Sequence, residues 1–137
     1  IEELLDAYKG EGIQHIACAW RDIYETVVAM RKNGLDFMPA PPDAYYAKVD
    51  ARVPGHGESL ERLRSTGVLI DGEGVVDGGE TRVLLQIFSG TVLGPVFFEF
   101  IQRKGDDGFG EGNFRALFES IEEDQIRRGV LKGPNAA

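Results

Sequence analysis

A chain of 137 residues, 42% hydrophobic and 28% charged, is long enough for one domain with a real core and too short for two comfortable ones. Its 15 basic and 23 acidic side chains leave a formal charge of -8, which argues against DNA, RNA or an anionic membrane as partner, since phosphate recognition needs a basic surface. The single cysteine, Cys18, has no partner for an internal disulfide and points to a reducing compartment, the cytoplasm, and no apolar run approaches the ~20 residues of a membrane span.

Ile1, Leu4, Leu5 and Tyr8 share one helical face, and Lys9-Gly10 ends the helix. The pattern is already running at Ile1, so the chain is expected to be one piece of a longer polypeptide. Residues 12–20 read as a buried strand in which His15 shares its face with Ile13 and Ala17. Asp22, with Glu25 three residues on, caps a helix carrying Tyr24, Val27, Val28 and Arg31 along one side, and Gly34 stops it. A short second strand at 35–38 is closed by Pro39-Ala40-Pro41-Pro42, where amide donors are missing.

Residues 43–66 form a helical insertion. Asp43 caps a segment with Tyr45, Tyr46 and Val49, and Leu60 and Leu63 mark a second segment ending at Gly67. The break Pro54-Gly55-His56-Gly57 is a turn, and His56 is expected to be a solvated loop residue. Extended structure follows from Val68, with strand and glycine-rich hairpin turns across 71–80. A strand over 82–88 puts Leu84, Gln86 and Phe88 on one face, and another over 94–103 aligns Phe97, Glu99 and Ile101. After a loop, Asn113 is expected to cap a last helix over about 113–129, with Phe114, Leu117, Phe118, Ile121 and Gln125 on one side; 132–137 is a tail. The order is strand, helix, strand, helical insertion, two or three strands and a helix. It predicts an α+β fold, a βαβββ module whose curled sheet leaves one concave face needing cover.

Glu99 is the anomaly. A carboxylate that shares a strand face with two large hydrophobes costs several kcal/mol unless it meets a cation, a metal or a proton. Two readings stay open, an arginine-paired rim glutamate and a metal ligand. His15 is the companion, also mid-strand and apolar-flanked, and its own alternative is a hydrogen-bonded core histidine. Imidazole with carboxylate suits a divalent first-row metal, and two histidines with one carboxylate leave open positions on iron(II). One ligand is then missing, and His56 is a poor candidate for it. Other chemistries lack parts. Gly108-Phe109-Gly110-Glu111-Gly112 has neither the spacing nor the Lys-Ser/Thr of a phosphate loop, and Asp106, Asp107 and Glu111 would repel phosphate. No Gly-x-Ser-x-Gly accompanies the two histidines.

Five motifs occur in order: Gln14-His15-Ile16-Ala17, Pro41-Pro42-Asp43-Ala44-Tyr45-Tyr46, Leu84-Leu85-Gln86-Ile87-Phe88, Phe97-Phe98-Glu99-Phe100-Ile101-Gln102-Arg103 and Gly108-Phe109-Gly110-Glu111-Gly112-Asn113-Phe114. Together, over residues 1–131, they resemble the C-terminal part of the 4-hydroxyphenylpyruvate dioxygenase family. The resemblance implies a single vicinal-oxygen-chelate module, half of a barrel that closes around non-haem Fe(II). It implies that His15 and Glu99 are metal ligands, the first ligand histidine belonging to a preceding module. Gln86, Gln14 and Asn113 would be catalytic, and Phe88, Phe97, Phe109 and Phe114 would line the substrate pocket, with the last helix as a gate. Gln14 is at odds with strand alternation, which turns it away from His15. The implied reaction converts 4-hydroxyphenylpyruvate and O2 to homogentisate and CO2 in tyrosine catabolism. An isolated module would be inactive alone. Two alternatives stand beside this: hydroxymandelate synthase, and a free-standing chelate-fold module that binds a small ligand as a homodimer.

Overall fold

The computed structural model describes residues 2–127 and 129. Their elements run α1 (Glu2–Tyr8), β1 (His15–Ala19), α2 (Ile23–Lys32), α3 (Asp43–Ala47), α4 (Val49–Arg52), α5 (Leu60–Thr66), β2 (Leu69–Val75), β3 (Thr81–Leu93), β4 (Val96–Lys104) and α6 (Glu111–Arg127). The fold is α+β. One four-stranded sheet has the order β1-β4-β3-β2, with β1 parallel to β4 and the other pairs antiparallel.

Register decides which side chains meet. His15 lies opposite Phe97 and Ala17 opposite Glu99, while Glu99 lies opposite Phe88 and Ile101 opposite Gln86. Directly opposed residues project to the same side of a sheet. His15, Ala17, Phe97, Glu99, Ile101, Phe88 and Gln86 therefore share one face. The other face carries Val83, Leu85, Ile87 and Phe100 into the main core, with Ile23 and Val27 of α2 and Leu63 of α5. Gln102, on that second face, accepts from the Ile23 amide at 3.0 Å and so seats the start of α2 against β4.

Several local signals act as expected. The Asp22 carboxylate accepts from the Glu25 amide at 3.0 Å, and Gly67 ends α5 at φ 76°. The helical insertion is present as α3, α4 and α5. Other expectations are corrected. The strand over 35–38 is a single bridge between Phe37 and Ser89, because the prolines that follow supply no amide donors to continue a ladder. β1 is shorter than 12–20 and is exposed rather than buried, since among the described residues it is the sheet edge and pairs only with β4. Val28 is exposed, and it is Ile23, Tyr24 and Val27 that bury α2. Asp43 lies in the first turn of α3 with Pro42 at the N-cap, where no side chain caps. His56 is buried, not solvated: its Nε2 meets Asp50 Oδ1 at 2.8 Å and its Nδ1 accepts from the Glu58 amide at 2.9 Å. α6 begins at Glu111, so Asn113 is inside the helix and not its cap. Ile1, the side chains of Leu117, Phe118, Ile121 and Gln125, and the 132–137 tail lie outside the described residues.

Candidate functional site

Two strands bring the site together. In the parallel pair β1 and β4, the two-residue offset of His15 from Ala17 and of Phe97 from Glu99 places the imidazole diagonally across from the carboxylate. His15 Nε2 stands 3.4 Å from Glu99 Oε2. The His15 ring stacks on Phe97, with centroids 5.2 Å apart and planes 17° from parallel. Its Nδ1 faces Gln14 Oε1 at 3.4 Å. With Nδ1 as the donor, the Nε2 lone pair is left pointing to the carboxylate side.

Glu99 is 8% exposed. Burial raises its carboxyl above the ordinary carboxylate range, and the nearby His15 and Arg103 pull the other way. Of the two readings of this residue, the arginine-paired one is not observed among the described residues, where the close ionic neighbour of Glu99 is His15. Arg103 spends Nη1 on the carbonyls of Asp106 and Gly108, at 3.0 and 2.7 Å, and so pins the loop before α6. The second carboxylate oxygen, Oε1, accepts from Gln86 Nε2 at 3.2 Å.

His15, Ala17, Glu99, Ile101, Arg103, Phe109 and Phe114 line a cavity of about 270 Å³. Phe88 is buried behind it, with ring contacts to Phe97 at 6.0 Å and to Phe114 at 5.8 Å. Phe109 and Phe114 are 79% and 57% exposed, so they form a rim that is open to solvent. Gln86 and Asn113 are fully buried at the cavity's inner side, where Asn113 Nδ2 donates to Gln86 Oε1 at 2.8 Å. Of the residues singled out from sequence, then, His15, Glu99, Gln86, Asn113 and the four phenylalanines converge. Gln14 does not line the cavity, as strand alternation requires; it touches the site through the back of the His15 ring.

The donor set fits part of a metal site. Two ligands each ~2.1 Å from a common ion and at right angles stand ~3 Å apart, close to the separation of His15 Nε2 and Glu99 Oε2. Among the described residues no cluster of three or more His, Cys, Asp or Glu side chains is placed to hold an ion, so a third ligand of those types is not among them. Sequence reasoning missed Tyr45, Arg52 and Asp71, which meet α6 behind the cavity. Tyr45 Oη donates to Asn113 Oδ1 at 2.6 Å, Arg52 Nη2 lies 2.9 Å from Tyr45 Oη, and Asp71 Oδ2 accepts from the Gly112 amide at 2.8 Å. The one available signal was the aromatic pair in the motif at 41–46, which reads as core packing.

No family model matches the chain. It is 65% identical over 131 residues to Hemolysin VllY of Vibrio vulnificus. It is 64% identical over 131 residues to 4-hydroxyphenylpyruvate dioxygenase of Pseudomonas aeruginosa and 56% over 132 residues to that of Legionella pneumophila. Each match takes in 96% of this chain but only 35–37% of the relative, so the chain spans about a third of the length of the curated relatives it matches, in their C-terminal part. Among solved structures, a triple mutant of 4-hydroxymandelate synthase from Streptomyces coelicolor superposes with TM-score 0.69 and 34% identity, over 90% of this chain and 34% of that one. A fusion of a xylose isomerase-like TIM barrel with 4-hydroxyphenylpyruvate dioxygenase gives TM-score 0.66 and 28% identity, over 86% and 18%. The four-stranded α+β architecture is consistent with the vicinal-oxygen-chelate fold of these neighbours.

Proposed function

We infer that this chain, which belongs by sequence to the 4-hydroxyphenylpyruvate dioxygenase family, forms the part of a non-haem iron(II) dioxygenase that supplies two of the metal's ligands and one wall of the substrate pocket. The observation that carries the reading is the approach of His15 Nε2 to Glu99 Oε2, 3.4 Å apart at the floor of an aromatic-rimmed cavity. The remaining histidine ligand is assigned to a module outside residues 1–131, and the helix at about 113–129 to the gate. The substrate is 4-hydroxyphenylpyruvate with O2, and the products are homogentisate and CO2, a step of tyrosine catabolism in the cytoplasm. No helix of the described residues is long and apolar enough to cross a membrane.

What a bound iron(II) supplies is chelation of the substrate's 2-oxo acid and reduction of dioxygen. The protein's residues supply the rest. His15 and Glu99 are fixed by Phe97 stacking and by the Gln86 amide, so little side-chain freedom is lost when they take up an ion. Phe109 and Phe114 present flat apolar surface to an aromatic ring and stand where closure over a substrate would exclude water, and Phe88 backs the wall by packing against Phe114 and Phe97. Gln86 and Asn113 belong to the same hydrogen-bonded unit as Glu99, and their part is to orient it.

The test uses the full-length protein, loaded anaerobically with Fe(II) and given 4-hydroxyphenylpyruvate and O2. Homogentisate is the expected product, and His15→Ala and Glu99→Gln each lower its formation by at least ~100-fold, as loss of a ligand should. Wild-type rates in either variant would overturn the reading. A second reading, favoured by the superposition on a 4-hydroxymandelate synthase, is that the product is 4-hydroxymandelate. Chromatographic identification of the product decides between them. Residues 1–137 alone, with two donors, are expected to be inactive, and robust turnover by them would contradict the incomplete ligand set.

A further inference from the structure

We propose that Tyr45 and Arg52 are positioning residues of the Glu99 site, which set the direction of a buried chain of hydrogen bonds that ends on the carboxylate. The inference rests on the reading of Glu99 as a metal ligand and extends it to residues three and four side chains away. Behind the cavity, Arg52, Tyr45, Asn113, Gln86 and Glu99 are linked in series, and Tyr45, Asn113 and Gln86 are almost wholly buried.

Two amides stand in the middle of that series, and an amide can be turned over without changing its shape. What prevents it is chiefly the tyrosine oxygen, with Arg52 Nη2 at 3.5 Å from Asn113 Oδ1 as a second and longer donor to the same atom. The tyrosine oxygen accepts from Arg52 Nη2 at 2.9 Å and from the Ile70 amide at 3.0 Å. Both its lone pairs are then used, so it has only a proton to offer. The shortest contact open to that proton is Asn113 Oδ1 at 2.6 Å, compared with the Ile70 carbonyl at 3.2 Å. The carbonyl of Ile70 is already supplied by Arg52 Nη2 at 2.7 Å. Asn113 must therefore turn its oxygen to Tyr45 and its NH2 to Gln86 Oε1. Gln86 is left with its NH2 toward Glu99 Oε1. Turning both amides over would set an amide oxygen against a carboxylate and an NH2 against a saturated hydroxyl, two unmet buried groups at once. The direction holds Glu99 Oε1 on the Gln86 side and leaves Oε2 facing His15.

A phenylalanine at 45 removes the proton that fixes the first amide, and methionine at 52 frees a lone pair on the tyrosine oxygen. Tyr46→Phe is the control, because among the described residues Tyr46 Oη bonds the Val68 carbonyl, at 3.3 Å, and does not belong to the series. The side-chain NH2 hydrogens of Gln86 and Asn113 are followed by NMR hydrogen exchange in the metal-free chain. Exchange is expected to quicken at least tenfold in Tyr45→Phe and in Arg52→Met and to stay unchanged in Tyr46→Phe. Co(II) affinity of the full-length protein is expected to fall about 10- to 100-fold in the same two variants and not in the control. Unchanged Gln86 exchange in both Tyr45→Phe and Arg52→Met would overturn the proposal, as would equal effects in Tyr46→Phe. If His15→Ala binds Co(II) as tightly as the wild type, the metal reading of the site fails, and the exchange rates still decide the polarity of the series.

Discussion

Glu99 carries an opposition that pH can expose. Burial raises its carboxyl above the unfolded value, so between the two the folded state holds more protons than the unfolded one. The contribution of this group to stability is then fully present below the ordinary carboxylate range and is lost as pH rises through the raised value. Replacing it with a neutral isostere removes the dependence. Without added metal, Glu99→Gln should therefore gain stability relative to the wild type as pH goes from 4 to 7, measured by urea denaturation; a difference that does not vary with pH would contradict the assignment of burial as the dominant cause. At this scale the sequence is a good guide to the face on which the His15 and Glu99 side chains lie, because alternation along a strand is set by backbone geometry alone. It is a poor guide to His56 and Asn113. An apolar-poor neighbourhood points to a solvated His56, whereas Asp50 and the Glu58 amide hold its ring. Asparagine favours a cap position, but the partners of Asn113, Gln86 and Tyr45, are 27 and 68 residues distant, beyond any local signal.

Among the elements, the start of α6 is where the cavity and the buried polar series join. Gly110 has φ +74°, and a Cβ built there would fall on Gln86 Oε1. Gly110→Ala should cost about 1–3 kcal/mol by backbone strain alone, measured as a shift in the urea midpoint, and should also displace the Gln86 amide. The Asp71 carboxylate acts as a cap supplied from β2: it accepts from the Gly112 amide and lies 3.4 Å from Arg52 Nη1. Asp71→Ala is expected to destabilise by about 1–2 kcal/mol, the usual value of a lost N-terminal acceptor. An unchanged midpoint would mean that water replaces the carboxylate at no cost. The existence and type of α6 were legible from its apolar spacing; its first turn was not, because the group that ends the helix's unmet amides comes from a strand 41 residues earlier. The same limit explains β1. A run of apolar residues marks a strand, and nothing in the run itself distinguishes an interior strand from an edge.

For the molecule as a whole, that edge is the consequential feature. Among the described residues β1 pairs only with β4, and around it Ile13, Ile16 and Trp20 are 62%, 43% and 39% exposed. Apolar side chains along an open strand edge favour association. Residues 1–137 on their own should show a weight-average mass that rises with concentration in sedimentation equilibrium, and Ile16→Lys should reduce the rise; a monomer at every concentration would count against an uncovered face. The central claim is that His15 and Glu99 bind one ion between them. Its most direct test is anomalous diffraction at the cobalt edge from crystals of the full-length protein loaded with Co(II). The account predicts a single strong peak at about 2.1 Å from both His15 Nε2 and Glu99 Oε2. A peak that touches neither side chain, or only one of them, would contradict it.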